Sequence, residues 1–313
     1  MISWEYFAEL ALRFIARPKI KDKKALKRFF QLKGEYSRVC AMFLPNRTGS
    51  VSDSVGYNWA EWATKIRSAF QKEVPLGFLS HPTIVRTMVY RKQRGVLATR
   101  KKILTVEFVY GKSIARCLLK EDYIGLPTIS NLPFLTSANR AHHAFHLARY
   151  KEITGVNFWD CSSIIEWGGG YGNMACIIRK MNPGITYIVI DLPEILSLQY
   201  VYLGSIFGNN SINIVNHDIV NGKINLVSTQ TTMEKGVPLK CDGFLSTWAL
   251  TESPKSDQLS VIERNFFDAK RVLMASRIDD NNLIRNHIST SKLQTISVPT
   301  GFGIDKKHQY WFK

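Results

Sequence analysis

The stretch Ile164-Ile165-Glu166-Trp167-Gly168-Gly169-Gly170-Tyr171-Gly172, with Asp191-Leu192-Pro193-Glu194 beginning nineteen residues after its last glycine, restricts this 313-residue chain more than any other feature. β-branched residues lead into a glycine turn, a helix-compatible segment runs from Asn173 to Met181, and Ile185 to Ile190 reads as a second strand that ends in a carboxylate. A strand, glycine turn, helix and strand in that order predict an open α/β sheet of the kind that holds an adenosine-containing cofactor. Glycines let the backbone approach a ligand where a Cβ would collide. Asp191 suits a ribose diol, and as an N-cap ahead of Pro193 it also suits the start of a helix; the two roles are compatible.

The glycine spacing separates two cofactor classes. A dinucleotide fingerprint starting at Gly168 needs glycine at position 173, where this chain has Asn173, so nicotinamide-dependent oxidoreduction is disfavoured. The run E-W-G-G-G-Y-G instead resembles motif I of the S-adenosylmethionine-dependent methyltransferases. That resemblance implies a cofactor site built from Glu166, Gly168, Gly169, Gly170, Tyr171 and Gly172, with Asp191 and Leu192 at the ribose. G-G-G-Y-G followed by I-D-L-P-E and Leu198 to Leu203 is similar to the bacterial sugar O-methyltransferases of surface-polysaccharide biosynthesis. Glu121 to Pro127, Thr136 to Asn139 and His142 to His146 extend the likeness over roughly residues 75 to 313. D-L-P also occurs in small-molecule O-methyltransferases of the caffeate type.

Composition bounds the rest. An apolar fraction of 45% with 12% aromatic residues belongs to a folded globular protein. The five cysteines are odd in number and lack a C-x-x-C pair, which points to a reducing, cytoplasmic setting. The N-terminal stretch Met1 to Ala16 carries Glu5, Glu9 and Arg13 and does not resemble a secretory signal. Charge is unevenly placed: residues 1–150 hold 26 Lys/Arg against 10 Asp/Glu, and residues 151–313 hold 16 against 15. A basic N-terminal half suits a nucleotide-sugar, an anionic glycan, the inner face of a membrane or a nucleic acid, or serves only to keep the surface solvated.

The expected fold is a Rossmann-like, doubly wound α/β methyltransferase sheet of seven strands, with the last hairpin reversed, behind a mostly helical basic domain. The boundary is expected between residues 134 and 135. Strands are expected at 163–167, 185–190, 211–215, 242–246, 271–275, 292–297 and 308–312, with helices at 173–181, 194–206 and 256–269. Residues 3–16 and Trp59 to Phe70 read as amphipathic helices and Asn46 to Gly56 as a loop. Lys19 to Lys33 mixes cations with Leu26, Phe29, Phe30 and Leu32, a pattern that fits docking on a membrane surface or packing within the domain. Residues 219–240 read as a long polar connection.

Ligands of open α/β sheets lie at the carboxyl ends of the strands, which directs attention to Asp191, to Asp218 after the third strand and to Ser246 after the fourth. Asp218 resembles the carboxylate that accepts from an adenine amine, and Ser246 completes the implied cofactor set. Methyl transfer to a sugar hydroxyl needs a general base, or a metal such as Mg²⁺ that lowers the hydroxyl's pKa. The caffeate-type histidine is replaced here by Thr251, which leaves Glu252 beside it as one candidate. His143 and His146 are the others, since with His142 they share a helical face; no ligand-spaced carboxylate marks a metal site there. The leading expectation is therefore S-adenosylmethionine-dependent O-methylation of a sugar, nucleotide-sugar or glycan. The alternatives are a nucleic-acid or small-molecule methyltransferase and a catalytically silent glycan- or membrane-binding protein. Nucleic acid is disfavoured because Ser246-Thr247-Trp248-Ala249 lacks the Asn/Asp-Pro-Pro-aromatic run of base-modifying enzymes.

Overall fold

The computed structural model describes residues 20–43, 59–89, 95–234, 239–277, 283–284, 286–287, 296–299 and 308–313. The expected helix at 3–16, the loop at 46–56 and the start of the sixth strand lie outside them.

Eight strands form one sheet: β3 (Ser163–Trp167), β4 (Thr186–Asp191), β5 (Ile212–Ile214), β6 (Ile224–Ser228), β7 (Gly243–Thr247), β8 (Arg271–Arg277), β9 (Ile296–Pro299) and β10 (His308–Phe312). A two-stranded ribbon, β1 (Ile129–Asn131) and β2 (Thr136–Ser137), stands apart from them. The order is β5-β6-β4-β3-β7-β8-β10-β9, parallel except for β10, which runs against both its neighbours. The doubly wound α/β architecture with a reversed terminal hairpin is thus present. From β3 the chain builds outward to one side through β4 and to the other through β7, so strand order reverses between β3 and β7 and opens a crevice at their carboxyl ends.

One strand more enters the sheet than the sequence predicts. The third strand was expected at 211–215; β5 lies there but at the sheet edge, and β6, from the supposed polar connection, stands between it and β4. The two parallel strands are joined by only residues 215–223, shorter than the dozen or more residues of a usual crossover. Asn225 makes the short connection workable. Fully buried in β6, it accepts from the Val220 amide (2.8 Å) and the Asn213 side chain (2.8 Å) and donates to the Val220 and Lys223 carbonyls (3.0 and 3.1 Å). Three backbone groups of the connection, the Val220 amide and carbonyl and the Lys223 carbonyl, are thus paired with one side chain.

Helices cover both faces. On one side lie α6 (Ala138–Thr154), α7 (Asn173–Met181) and α8 (Pro193–Phe207), whose buried residues share a core with the inner faces of β3, β4 and β6. The N-terminal helices add a further layer over them: α1 (Lys23–Leu32), α2 (Tyr36–Met42), α3 (Trp59–Phe70), α4 (Pro82–Thr87) and α5 (Gly95–Leu119), which bends at Gly111. α1 and α2 pack on α8 and α5 packs on α6. Ala25, Phe29 and Leu32 of α1 are buried, so its apolar face is spent on this packing, and Arg28 caps the end of α8 by donating to the Ser205 and Ile206 carbonyls (2.8 and 2.7 Å). A second core on the opposite face holds Trp167, Phe244 and Val261, beside α9 (Thr229–Glu234), α10 (Ala249–Glu252) and α11 (Lys255–Glu263). No helix among the described residues is long and apolar enough to cross a membrane.

Candidate active site

A cleft of about 560 Å³ opens at the carboxyl ends of β3, β4 and β7, within the size range of small-molecule sites. Its wall on the β3–β4 side is backbone. Gly168 has φ +74°, and a Cβ there would meet the Ala249 Cβ at 2.0 Å, so glycine is demanded by both conformation and contact. Gly170, at φ +54°, would direct a Cβ into space where only Met88 comes within 4 Å. Gly169 lies over Val189, Glu166 and Gln199. Gly172 packs against Leu203 and is not part of the lining, so its role is to seat α7 on α8 rather than to touch a ligand.

Two buried carboxylates stand behind this turn. Asp191 ends β4 and accepts from the Leu192 amide (2.8 Å) and from Gln199 Nε2 (3.1 Å), and Gln199 also donates to the Gly170 carbonyl (2.7 Å). Burial pushes its pKa up to about 7 against the pull of these donors. Glu166, one strand over, accepts from the Tyr187 hydroxyl (2.9 Å) and is pushed up to about 8 by burial, with the Asp191 charge adding to the shift. Both carboxyls line the cleft, as does Leu192. Tyr171 lines it too, its phenol taking a hydrogen bond from Asn139 Nδ2 (3.1 Å) and its ring packed on Phe78 and Tyr202.

The opposite wall is assembled from distant segments. α3 supplies Trp59 and Arg67, α6 supplies Asn139, His142 and His143, and the segment after β7 supplies Trp248, Glu252 and Asp257. Trp248 is held at φ +67°, ψ −33°, a strained conformation for a bulky residue. Its amide donates to the Ala275 carbonyl and its ring stacks on His142, with centroids 5.5 Å apart. Glu252 faces α3 and accepts from Trp59 Nε1 (3.2 Å). Arg67 forms an ion pair with the buried Glu194 of the D-L-P-E turn, tying the N-terminal layer to the start of α8. Arg67, Trp59 and Asp257 carried no motif that sequence reasoning could have found.

The histidines separate by depth. His143 lines the cleft, and burial together with the Arg140 charge depresses its pKa to about 3. Asn173 Nδ2, which also reaches the Asn139 carbonyl, donates to His143 Nδ1 (3.0 Å). That contact engages Nδ1 and leaves Nε2 as the ring nitrogen free of it. His146 does not line the cleft. It is fully buried behind Trp248 and hydrogen-bonded through Nδ1 to the Tyr310 hydroxyl, which removes it from contact with an acceptor and corrects the expectation that it serves as base. Among the described residues no three His, Cys, Asp or Glu side chains gather as metal ligands.

Two cofactor candidates also fall outside the lining. Asp218 is exposed on the β5–β6 connection, because the strand preceding it is the sheet edge and not the neighbour of β4; Thr229, after β6, takes the place at the cleft. Ser246 is buried one residue short of the lining, where its hydroxyl donates to the Trp167 carbonyl (3.1 Å) and accepts from the Leu250 amide (3.1 Å). It braces β7 to β3 and starts α10.

The upstream segments serve the same wall from beneath. Glu121 accepts from the Ser137 amide (2.9 Å), and Ser137 caps α6 by accepting from the Arg140 amide (3.0 Å). Arg140, fully buried, reaches Asp122 (3.1 Å), which also takes Lys180 of α7 (2.6 Å). These ion pairs lock α6 to α7, and so fix Asn139 and His143 relative to the glycine turn.

No family model matches the chain, and no curated protein matches it. Solved structures show similarity at low identity. An O-methyltransferase family protein from Burkholderia thailandensis is 12% identical, with 100% of this chain and 98% of that chain covered and a TM-score of 0.36. Human N-acetylserotonin methyltransferase in complex with SAM is 12% identical, covering 100% and 97%, with a TM-score of 0.34. The pyocyanin biosynthetic protein PhzM is 15% identical over 55% of this chain and 56% of that one, so the match spans little more than half of that protein, with a TM-score of 0.38.

Proposed function

We propose that this protein is an S-adenosylmethionine-dependent O-methyltransferase whose acceptor is the hydroxyl of a sugar or another neutral polyol. One observation carries the reading: a backbone-walled pocket at the reversal of strand order ends in a buried carboxylate, Asp191, and faces a wall of side chains able to hold and deprotonate an alcohol. The residues present fit the cofactor. Gly168 to Gly170 leave space where side chains would stand, and Asp191, already gripped by a backbone amide and Gln199, keeps acceptor capacity for ribose hydroxyls.

When bound, S-adenosylmethionine supplies an electrophilic methyl group. The chain's own contribution is mainly positioning, which is worth several kcal/mol when two reactants are held in line. Glu252, held by Trp59, takes the proton of the acceptor hydroxyl. His143, through Nε2, orients an oxygen of the acceptor.

The lining favours a neutral acceptor over a polyanion. Among the described residues it contains Glu166, Asp191, Glu194, Glu252 and Asp257 against one cation, Arg67, which is already paired. That balance among the described residues weighs against a nucleic acid or an acidic glycan entering the cleft. Trp59 and Trp248 offer apolar faces between polar groups, as a ring bearing hydroxyls on its edge requires. The test is titration calorimetry with S-adenosylmethionine, followed by incubation with labelled cofactor and a panel of neutral and acidic glycans, with mass spectrometry of the products. Label on a neutral sugar hydroxyl supports the reading; absence of cofactor binding overturns it.

A further inference from the structure

The outward face of α5 is apolar at its centre and basic at both ends. Phe108 is 86% exposed and Leu104 is 52% exposed, one helical turn apart. Arg100 and Lys101 lie one turn before Leu104, and Lys112, Arg116 and Lys120 follow beyond the bend at Gly111, all exposed. Among the described residues none of these five cations takes part in an ion pair. Glu107, the only carboxylate on α5, sits half-buried at the edge of the face. The opposite face, with Ile103, Val106 and Tyr110, is committed to the core. Two large apolar side chains held in water between two groups of exposed cations need a partner that rewards both features.

We propose that this face docks on an anionic lipid leaflet. Phe108 and Leu104 enter the boundary between headgroups and acyl chains, and Arg100, Lys101 and Lys112 lie at headgroup phosphates, their stems following the apolar pair. Charge complementarity selects this occupant. A second copy of the chain would set cations against cations, and a nucleic acid would reward the cations but not the apolar pair. α1 lies in the same outer layer, since it packs on α8 as α5 packs on α6, and it leaves Lys23, Lys24, Lys27 and Phe30 exposed. None of these exposed cations of α1 and α5 is part of the described cleft lining. The proposal stands independently of the methyltransferase reading.

The test is co-sedimentation of the full chain with vesicles of equal parts phosphatidylglycerol and phosphatidylcholine, and with phosphatidylcholine alone. The wild type is expected to pellet with the anionic vesicles only, less so as salt is raised. Leu104→Ser combined with Phe108→Ser lowers the partition coefficient about tenfold or more, and Lys101→Gln with Lys112→Gln lowers it about tenfold. Both double variants keep the thermal midpoint of the wild type, because the altered side chains are in water. Should the apolar variant fold poorly, Phe108→Trp gains an emission component quenched by brominated anionic lipid. Three results overturn the proposal: no pelleting of the wild type, a concentration-dependent dimer that the apolar variant abolishes while vesicle binding is absent, or binding to RNA that the charge variant loses and the apolar variant keeps in the absence of vesicle binding.

Discussion

The two walls of the cleft are built in different ways. The β3–β4 wall comes from one contiguous stretch: a glycine turn, the end of the next strand and the cap of the helix after it. The acceptor wall takes Trp59 and Arg67 from α3, His142 and His143 from α6, and Trp248 and Glu252 from the segment after β7. A wall of backbone needs only local conformation, which a few glycines encode. A wall of side chains needs the packing of three segments far apart in sequence. The first suits a ligand that never changes, the second an acceptor whose identity can change by altering a few residues.

Substitutions in the two walls should therefore separate cofactor binding from turnover. Glu252→Gln is expected to lower kcat by about 10²- to 10⁴-fold, the range for a lost general base, with the calorimetric Kd for S-adenosylmethionine unchanged. His143→Gln, which retains a donor, should cost less than about tenfold, whereas a loss as large as that of Glu252→Gln would move the base to α6. Asp191→Ala acts on the other wall: losing two charge-assisted hydrogen bonds weakens cofactor affinity by about 3 kcal/mol, roughly a hundredfold. Unchanged affinity in that variant would remove the ribose assignment.

Gly168→Ala tests the contact between the walls. The new methyl meets Ala249 at a backbone conformation that disfavours any side chain. A stability loss of about 2–4 kcal/mol by denaturant titration is expected. A smaller loss would mean that α10 can move away from the turn.

The smallest effect is in pH dependence. Asp191 and Glu166 hold protons more tightly in the folded protein, with pKa values of about 7 and about 8 against ordinary values of 3.8 and 4.5. The stability this contributes is fully present below the ordinary values and is lost as pH rises through the folded ones, with a slope of at most about 1.4 kcal/mol per pH unit for each group. His143 behaves in the opposite sense. Its folded pKa of about 3 lies below 6.5, so its contribution is present above 6.5 and lost as pH falls. Glu166→Gln should hold its thermal midpoint better than the wild type as pH rises from 4.5 to 8, and S-adenosylmethionine affinity should strengthen as pH passes about 7 and Asp191 ionises.

The places where sequence reasoning went astray have identifiable causes. β6 was hidden because Asn225 interrupts an apolar run, and a buried asparagine reads as loop until its partners on residues 213, 220 and 223 are seen. Asp218 was misplaced as a consequence, since its position depends on which strand neighbours β4. His143 and His146 lie within one turn of the same helix face; Trp248 and Tyr310, a hundred or more residues later, pack against His146 and leave His143 at the cleft. Glu252, singled out as the neighbour of Thr251, lines the cleft from the end of α10.

Sequence alone determined the glycine turn, the carboxylate that ends the next strand, the alternation of strands with helices and the uneven distribution of charge. These are short-range properties, set by backbone dihedrals, side-chain period and composition within a few residues. The tertiary structure decided the strand order, the depth of each histidine, the contact of Trp59 with Glu252 and the gathering of carboxylates from distant segments around one cleft. Each of these depends on burial and on partners distant along the chain, and desolvation and packing act on residues only after the fold has brought them together.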